Sequence, residues 1–440
     1  MLRCLTIALL AIISVDAQAV PSFASQTGLE CGSCHTVFPE LTALGRSFKL
    51  NAYTMSGNDK SPAIPVAASL QVSRTSTRDT DTSGAMPSDF PKDSDIIVQL
   101  AGLYYAGKIT DKSGAFVNVV SEYDGANQKR ETQLEMTDIR FADATTVNGK
   151  NLVYGVTLNN DPTVQDVWNS TPTFSFPYAS SNVAPMPMAS PLLDMGLSSQ
   201  VGGLGAYALW NDLLYAELSI YRTADSGIMR PLGAGADITS VVKGNAPYWR
   251  LALQREDGTH SFAVGTFGLS ADIYPDSENK SGATDNFKDI GVDAQYQYLG
   301  GDHVFTSRAS WIREKQTWDA RFPAMQTDNP SDTLKAAKLS ASYFYRRQVG
   351  GTLGYFATTG DTDAMLYGMG AMTPVMGNMA GRPDTRGYVV EVNYLPRQNV
   401  KLAMQYTAYS KFNGASKNYD GFGRDAADNN TVYLLGWLMF

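Results

Sequence analysis

Cys31-Gly32-Ser33-Cys34-His35 sets two thiols a helical turn apart with an imidazole directly behind the second. This C-x-x-C-H spacing is that of covalent c-type haem attachment, in which each thiol bonds a porphyrin vinyl group and the imidazole reaches the iron as an axial ligand. The same pair could close a redox disulfide, but that chemistry makes no use of His35. The third cysteine, Cys4, falls in an N-terminal stretch with Arg3, an apolar run from Leu5 to Val15 and Ala17-Gln18-Ala19. That stretch reads as a signal peptide, residues 1–19, and so as export from the cytoplasm.

About forty residues, 20–63, separate the expected cleavage point from the first strand-like pattern, too few for an independent cytochrome core. A haem held there must borrow its walls. Phe38, Leu41, Leu44 and Phe48 recur at three- and four-residue spacing, predicting an amphipathic helix from Pro39 to Leu50 whose apolar face packs on the porphyrin. Arg46 and Lys49 stand either as partners for the haem propionates or as solvated cations. Met55 is the only methionine of this segment and the nearest candidate for the distal iron ligand, with core packing as its ordinary alternative. His260 and His303, beside expected turns, are reserve ligands.

The rest of the chain must position this segment. Charged residues make up only 18% of 440, with 39 glycines, 23 tyrosines and a formal charge of −8. That balance suits strands facing lipid on one side and water on the other, and argues against nucleic acid as a partner. Ile290, Val292, Ala294, Tyr296 and Tyr298 alternate with Gly291, Asp293, Gln295 and Gln297. The same period of two, with tyrosines at the ends of apolar faces, recurs from residue 64 to 440. Candidate strands lie at 64–76, 95–108, 114–124, 132–146, 151–160, 200–210, 213–223, 247–256, 261–274, 287–299, 303–316, 334–346, 350–359, 386–395, 400–412 and 430–440. Short turns alternate with long polar loops, which places both ends of the barrel on the periplasmic side. The last strand, ending in Phe440, alternates imperfectly because both of its faces are apolar. Loop 161–199 is aromatic enough to fold inward, covering the haem, constricting the pore or stiffening the wall. Glu122, Glu217, Asp293 and Glu391 are expected to face the lumen. The expected fold is therefore all-β: a transmembrane barrel of about sixteen antiparallel strands over 64–440. A small helical c-type haem segment sits inside it or at its mouth.

Pro21 to His35, followed by Phe38-Pro39, Leu41, Gly45-Arg46, Phe48-Lys49 and Tyr53-Thr54, resembles the fused outer-membrane cytochrome–porins of iron-oxidising bacteria. The resemblance is sharp over about thirty-five residues and architectural over the barrel. It implies one haem c on Cys31, Cys34 and His35, and electrons passing from extracellular Fe(II), or another donor, to a periplasmic c-type cytochrome. Outer-membrane lipid would surround the barrel. A conduit for a different donor or acceptor, and a passive diffusion porin, are the alternatives.

Overall fold

The computed structural model describes residues 21–57, 64–80, 90–125, 128–223, 238–368 and 374–440, so the signal-peptide reading lies outside the described residues. Sixteen strands form one closed antiparallel barrel in which every strand pairs with its sequence neighbours and β1 closes on β16. They run from β1, Val66–Thr77, and β2, Ile96–Thr110, to β15, Val400–Lys411, and β16, Thr431–Met439. Each begins and ends within a few residues of its expected place. Closure satisfies every ladder hydrogen bond within the wall, which lipid demands. Leu339, Leu353, Val390, Leu402 and Leu434 face outward and are exposed, while Gln297, Asn393, Gln405 and Glu391 are buried inside. No helix among the described residues is long and apolar enough to cross a membrane.

The remaining strands that bear on the site are β3, Ser113–Asp124; β4, Lys129–Val147; β9, His260–Ile273; β10, Asp285–Gly300; β11, His303–Thr317; and β12, Ser331–Tyr345. β4 carries a bulge against β3, where Asn118 pairs with Met136 and Val119 with Leu134. The extra residue, Glu135, therefore joins Met136 on the lumen side, a re-aiming typical of bulges near functional sites.

Three short helices precede the barrel: α1, Pro21–Thr27; α2, Cys31–Cys34; and α3, Ala43–Leu50. The expected helix from Pro39 is thus shorter at its start. Thr36 and Glu40 close a backbone loop (N–O 3.0 Å) and His35 bridges Leu41, which keeps 36–41 out of helical geometry. Thr42 then caps α3, its hydroxyl accepting from the Gly45 amide at 3.2 Å.

Candidate functional site

Segment 21–57 fills the inside of the barrel near the short-turn end. Arg46 is 1% exposed. Its guanidinium donates to Glu256 at 2.7 Å, to Gln297 at 2.7 Å and to Ser261 at 2.8 Å. Glu40 meets Arg308 of β11 at 2.9 Å and accepts from Thr36 and Tyr178, each at 2.9 Å. Burial alone would raise its carboxyl pKa; the Arg308 charge and these donors hold it below the ordinary carboxylate range. Tyr53 donates to Asp138 of β4 at 2.6 Å.

Loop 161–199 folds inward over this segment. Val164, Val167 and Trp168 are buried, and the Trp168 indole donates to Gln254 at 3.0 Å. Asp166 accepts from the amides of Trp168, Ser170 and Thr171, tying the loop into a compact turn. Lys49 donates to the carbonyls of Val164 (2.6 Å) and Asp166 (3.0 Å), joining α3 to the loop. The segment and the loop fix one another. Of the expected inward carboxylates, Asp293 is paired with Arg250 at 2.8 Å, Glu391 with Lys401 at 3.1 Å, and Glu217 accepts from Gln165 and Tyr215.

Between these parts lies a cavity of about 560 Å³ whose lining includes Cys31, Cys34 and His35 together. A second recess of about 630 Å³ opens beside the turns at Gly258, Arg347 and Gln398 and touches Cys31 and His35 but not Cys34. The first has both thiols that a porphyrin needs. Phe38 stands against Trp437 edge-on at 4.9 Å, Phe23 against Phe48 at 4.9 Å, and Phe116 completes that wall. α3 approaches α2 so closely that a Cβ on Gly45 would lie 2.2 Å from the Cys34 carbonyl oxygen. Thr42 binds the same turn, its amide donating to the Cys34 carbonyl at 2.9 Å and its hydroxyl to that of Ser33 at 2.7 Å.

The residues present fit a haem c. His35 is half-buried, and Nδ1 is enclosed without a hydrogen-bond partner. Burial pushes its imidazole down to about 4, against smaller opposing pulls from Pro39 and Glu40, so the ring is neutral as iron ligation requires. No disulfide joins Cys31 and Cys34. Burial, and then the neighbouring Cys31, raise the Cys34 thiol.

Several expectations shift in place. Met55 lies outside the cavity lining, its carbonyl accepting from Gln26 at 2.7 Å; the methionines that do line it are Met136, Met195 and Met439. Arg46 is committed to Glu256 of the barrel wall, whereas Lys49 does line the cavity. His260 and His303 bond Tyr296 (2.9 Å) and Tyr343 (2.7 Å) on the outer aromatic belt and take no part in the cavity. Sequence reasoning missed Phe23, Phe116 and Trp437. For Trp437 a signal existed: the inner face of β16 is apolar because Leu435, Trp437 and Met439 pack in one cluster with Cys31 and Phe38.

No family model matches the chain, and no curated protein matches it. Among solved structures it is similar to OmpT, an outer membrane protein of Vibrio cholerae, at 11% identity and TM-score 0.44, covering 87% of this chain and 99% of that one. OmpF of Salmonella typhi, solved with daunomycin, gives 13% and 0.44, covering 85% and 97%. An anion-selective porin from Comamonas acidovorans gives 12% and 0.43, covering 85% and 98%. Likeness at this level concerns barrel form alone, and the strand pairing defines that form without it. The molecule is a porin-like barrel of the outer-membrane kind, its lumen occupied by its own N-terminal segment and its longest inward loop.

Proposed function

We propose that the protein is an outer-membrane electron conduit carrying one covalently attached haem c, which takes electrons from extracellular Fe(II) and hands them to a periplasmic c-type cytochrome. The observation that carries this reading is the convergence of Cys31, Cys34 and His35 on a single aromatic-walled cavity inside the barrel. A bound haem supplies a one-electron couple where lipid offers none. The chain's own residues do the rest. Cys31 and Cys34 tether, and neutral His35 offers its imidazole to the metal. Phe23, Phe38, Phe116 and Trp437 exclude water. Lys49 provides a hydrogen-bond donor at the wall, and Glu122 and Glu135 line the same cavity.

The lipid-facing belt of such barrels is about 25 Å tall. One haem does not bridge it, so the periplasmic partner must approach the short-turn mouth, where the second recess exposes the other side of Cys31 and His35. A passive diffusion porin is the competing reading, favoured by the barrel form. Two measurements separate them. Peroxidase-type haem staining on a denaturing gel, lost together in Cys31→Ser and Cys34→Ser, supports the conduit. Wide, steady single-channel conductance from a stain-free protein supports the porin.

A further inference from the structure

The outer wall of the barrel carries a charge arrangement that strand pairing penalises. Lys288 of β10 lies directly opposite Lys315 of β11, and two residues along β11 Arg313 lies directly opposite Lys335 of β12. Opposed residues on one face of an antiparallel pair hold their Cβ atoms about 5 Å apart, and like charges placed so repel. All four side chains are exposed, and they alternate with Asp289, Glu314 and Leu334, which are buried inside. The four therefore share one outward face, with about 7 Å of strand between one pair and the next.

No carboxylate answers them. Among the described residues none of the four has a hydrogen-bond or ion-pair partner for its side chain. Two carboxylates at this end of the wall are engaged elsewhere: Asp272 of β9 accepts from the Asn286 side chain at 2.8 Å, and Asp361 from the Thr333 amide at 2.7 Å. The cations stand at the end of their strands away from the short turn at 300–303, hence on the extracellular side. On the same outward face, toward the middle of the membrane, follow Ile290, Val292, Trp311 and Leu339, all exposed. The positive patch begins where the apolar wall ends. An ion from solution would use the charge and ignore that wall, whereas an amphiphile uses both.

We propose that Lys288, Arg313, Lys315 and Lys335 form a binding site for the phosphate of a phosphorylated glycolipid in the outer leaflet, whose acyl chains lie against Ile290, Val292, Trp311 and Leu339. Arg313 offers a planar fork to two phosphate oxygens, and the lysines add point charges. The bound phosphate relieves the repulsion that the bare wall carries. The site needs the barrel but not the haem, so it stands or falls separately from the conduit reading.

The purified full-length barrel, in uncharged detergent with EDTA, is titrated with diphosphoryl lipid A, with the same lipid stripped of phosphate, and with inorganic phosphate. Native mass spectrometry and melting temperature read the binding. The wild type should bind diphosphoryl lipid A and melt at a higher temperature with it, and should respond to neither of the others. The combined Lys288→Gln, Arg313→Gln, Lys315→Gln and Lys335→Gln variant should bind it about a hundredfold more weakly. Without lipid that variant should melt above the wild type, because the repulsion is gone, with heat-modifiable gel mobility confirming its barrel. Lys150→Gln, at the opposite rim, should change nothing. Equal binding by the quadruple variant, or equal binding of the dephosphorylated lipid, overturns the site. The same stabilisation by inorganic phosphate overturns the lipid assignment and leaves a free-anion site.

Discussion

At the scale of single residues, Gly45 leaves no room for a side chain, because an added Cβ would lie 2.2 Å from the Cys34 carbonyl oxygen. Gly45→Ala should lift α3 off the attachment turn, costing about 1–3 kcal/mol and lowering the fraction of chains that stain for haem. Lys49 gives a pH signature. Burial pushes its ammonium down to about 7, from an unfolded value of about 10.4, so the folded barrel binds fewer protons than the unfolded chain between those limits. Stability of the haem-free protein should therefore rise with pH across that window, and Lys49→Met should flatten the rise. Denaturant titrations at a series of pH values check the sign. That Cys31, Cys34 and His35 line one cavity followed from their spacing, since three groups within five residues need no tertiary context to meet. Which methionines line the cavity was not legible, for the opposite reason: it depends on strand register and on the β4 bulge, neither of which is written locally.

At the scale of elements, the strands were legible because lipid outside and water inside impose a period of two on every segment. The lumen contents were less so. An aromatic loop predicts inward folding, but not that Asp166 would knot it or that Lys49 would hold it. The ion pairs that seat the N-terminal segment join residues over two hundred positions apart, Arg46 to Glu256 and Glu40 to Arg308. Breaking one half of such a buried pair strands the other. Arg308→Met should destabilise the barrel by about 3–5 kcal/mol, and Glu40→Gln by less, since the amide retains hydrogen bonding. Trp168→Ala removes a side chain that is 1% exposed and should cost about 3–5 kcal/mol. It should also loosen the loop enough to raise conductance in planar bilayers. An unchanged conductance would mean that the N-terminal segment alone closes the lumen.

At the scale of the whole molecule, the barrel acts as a scaffold that supplies walls to an N-terminal segment too short to fold alone. This explains why the inner face of β16 is apolar where a water-filled pore would be polar: Trp437 and Met439 cover Cys31 and Phe38 instead of water. Wild-type protein in a planar bilayer should thus conduct far less than an unobstructed sixteen-stranded porin, and removal of residues 21–57 should open it. The most direct test of the central claim is an absorption spectrum of the purified barrel as Fe(II) is added without oxygen. Bands of a c-type haem that survive denaturation and convert to the reduced form on Fe(II) addition are the expected result. A spectrum without covalently held haem, or a ferric haem that Fe(II) leaves unchanged, would contradict it.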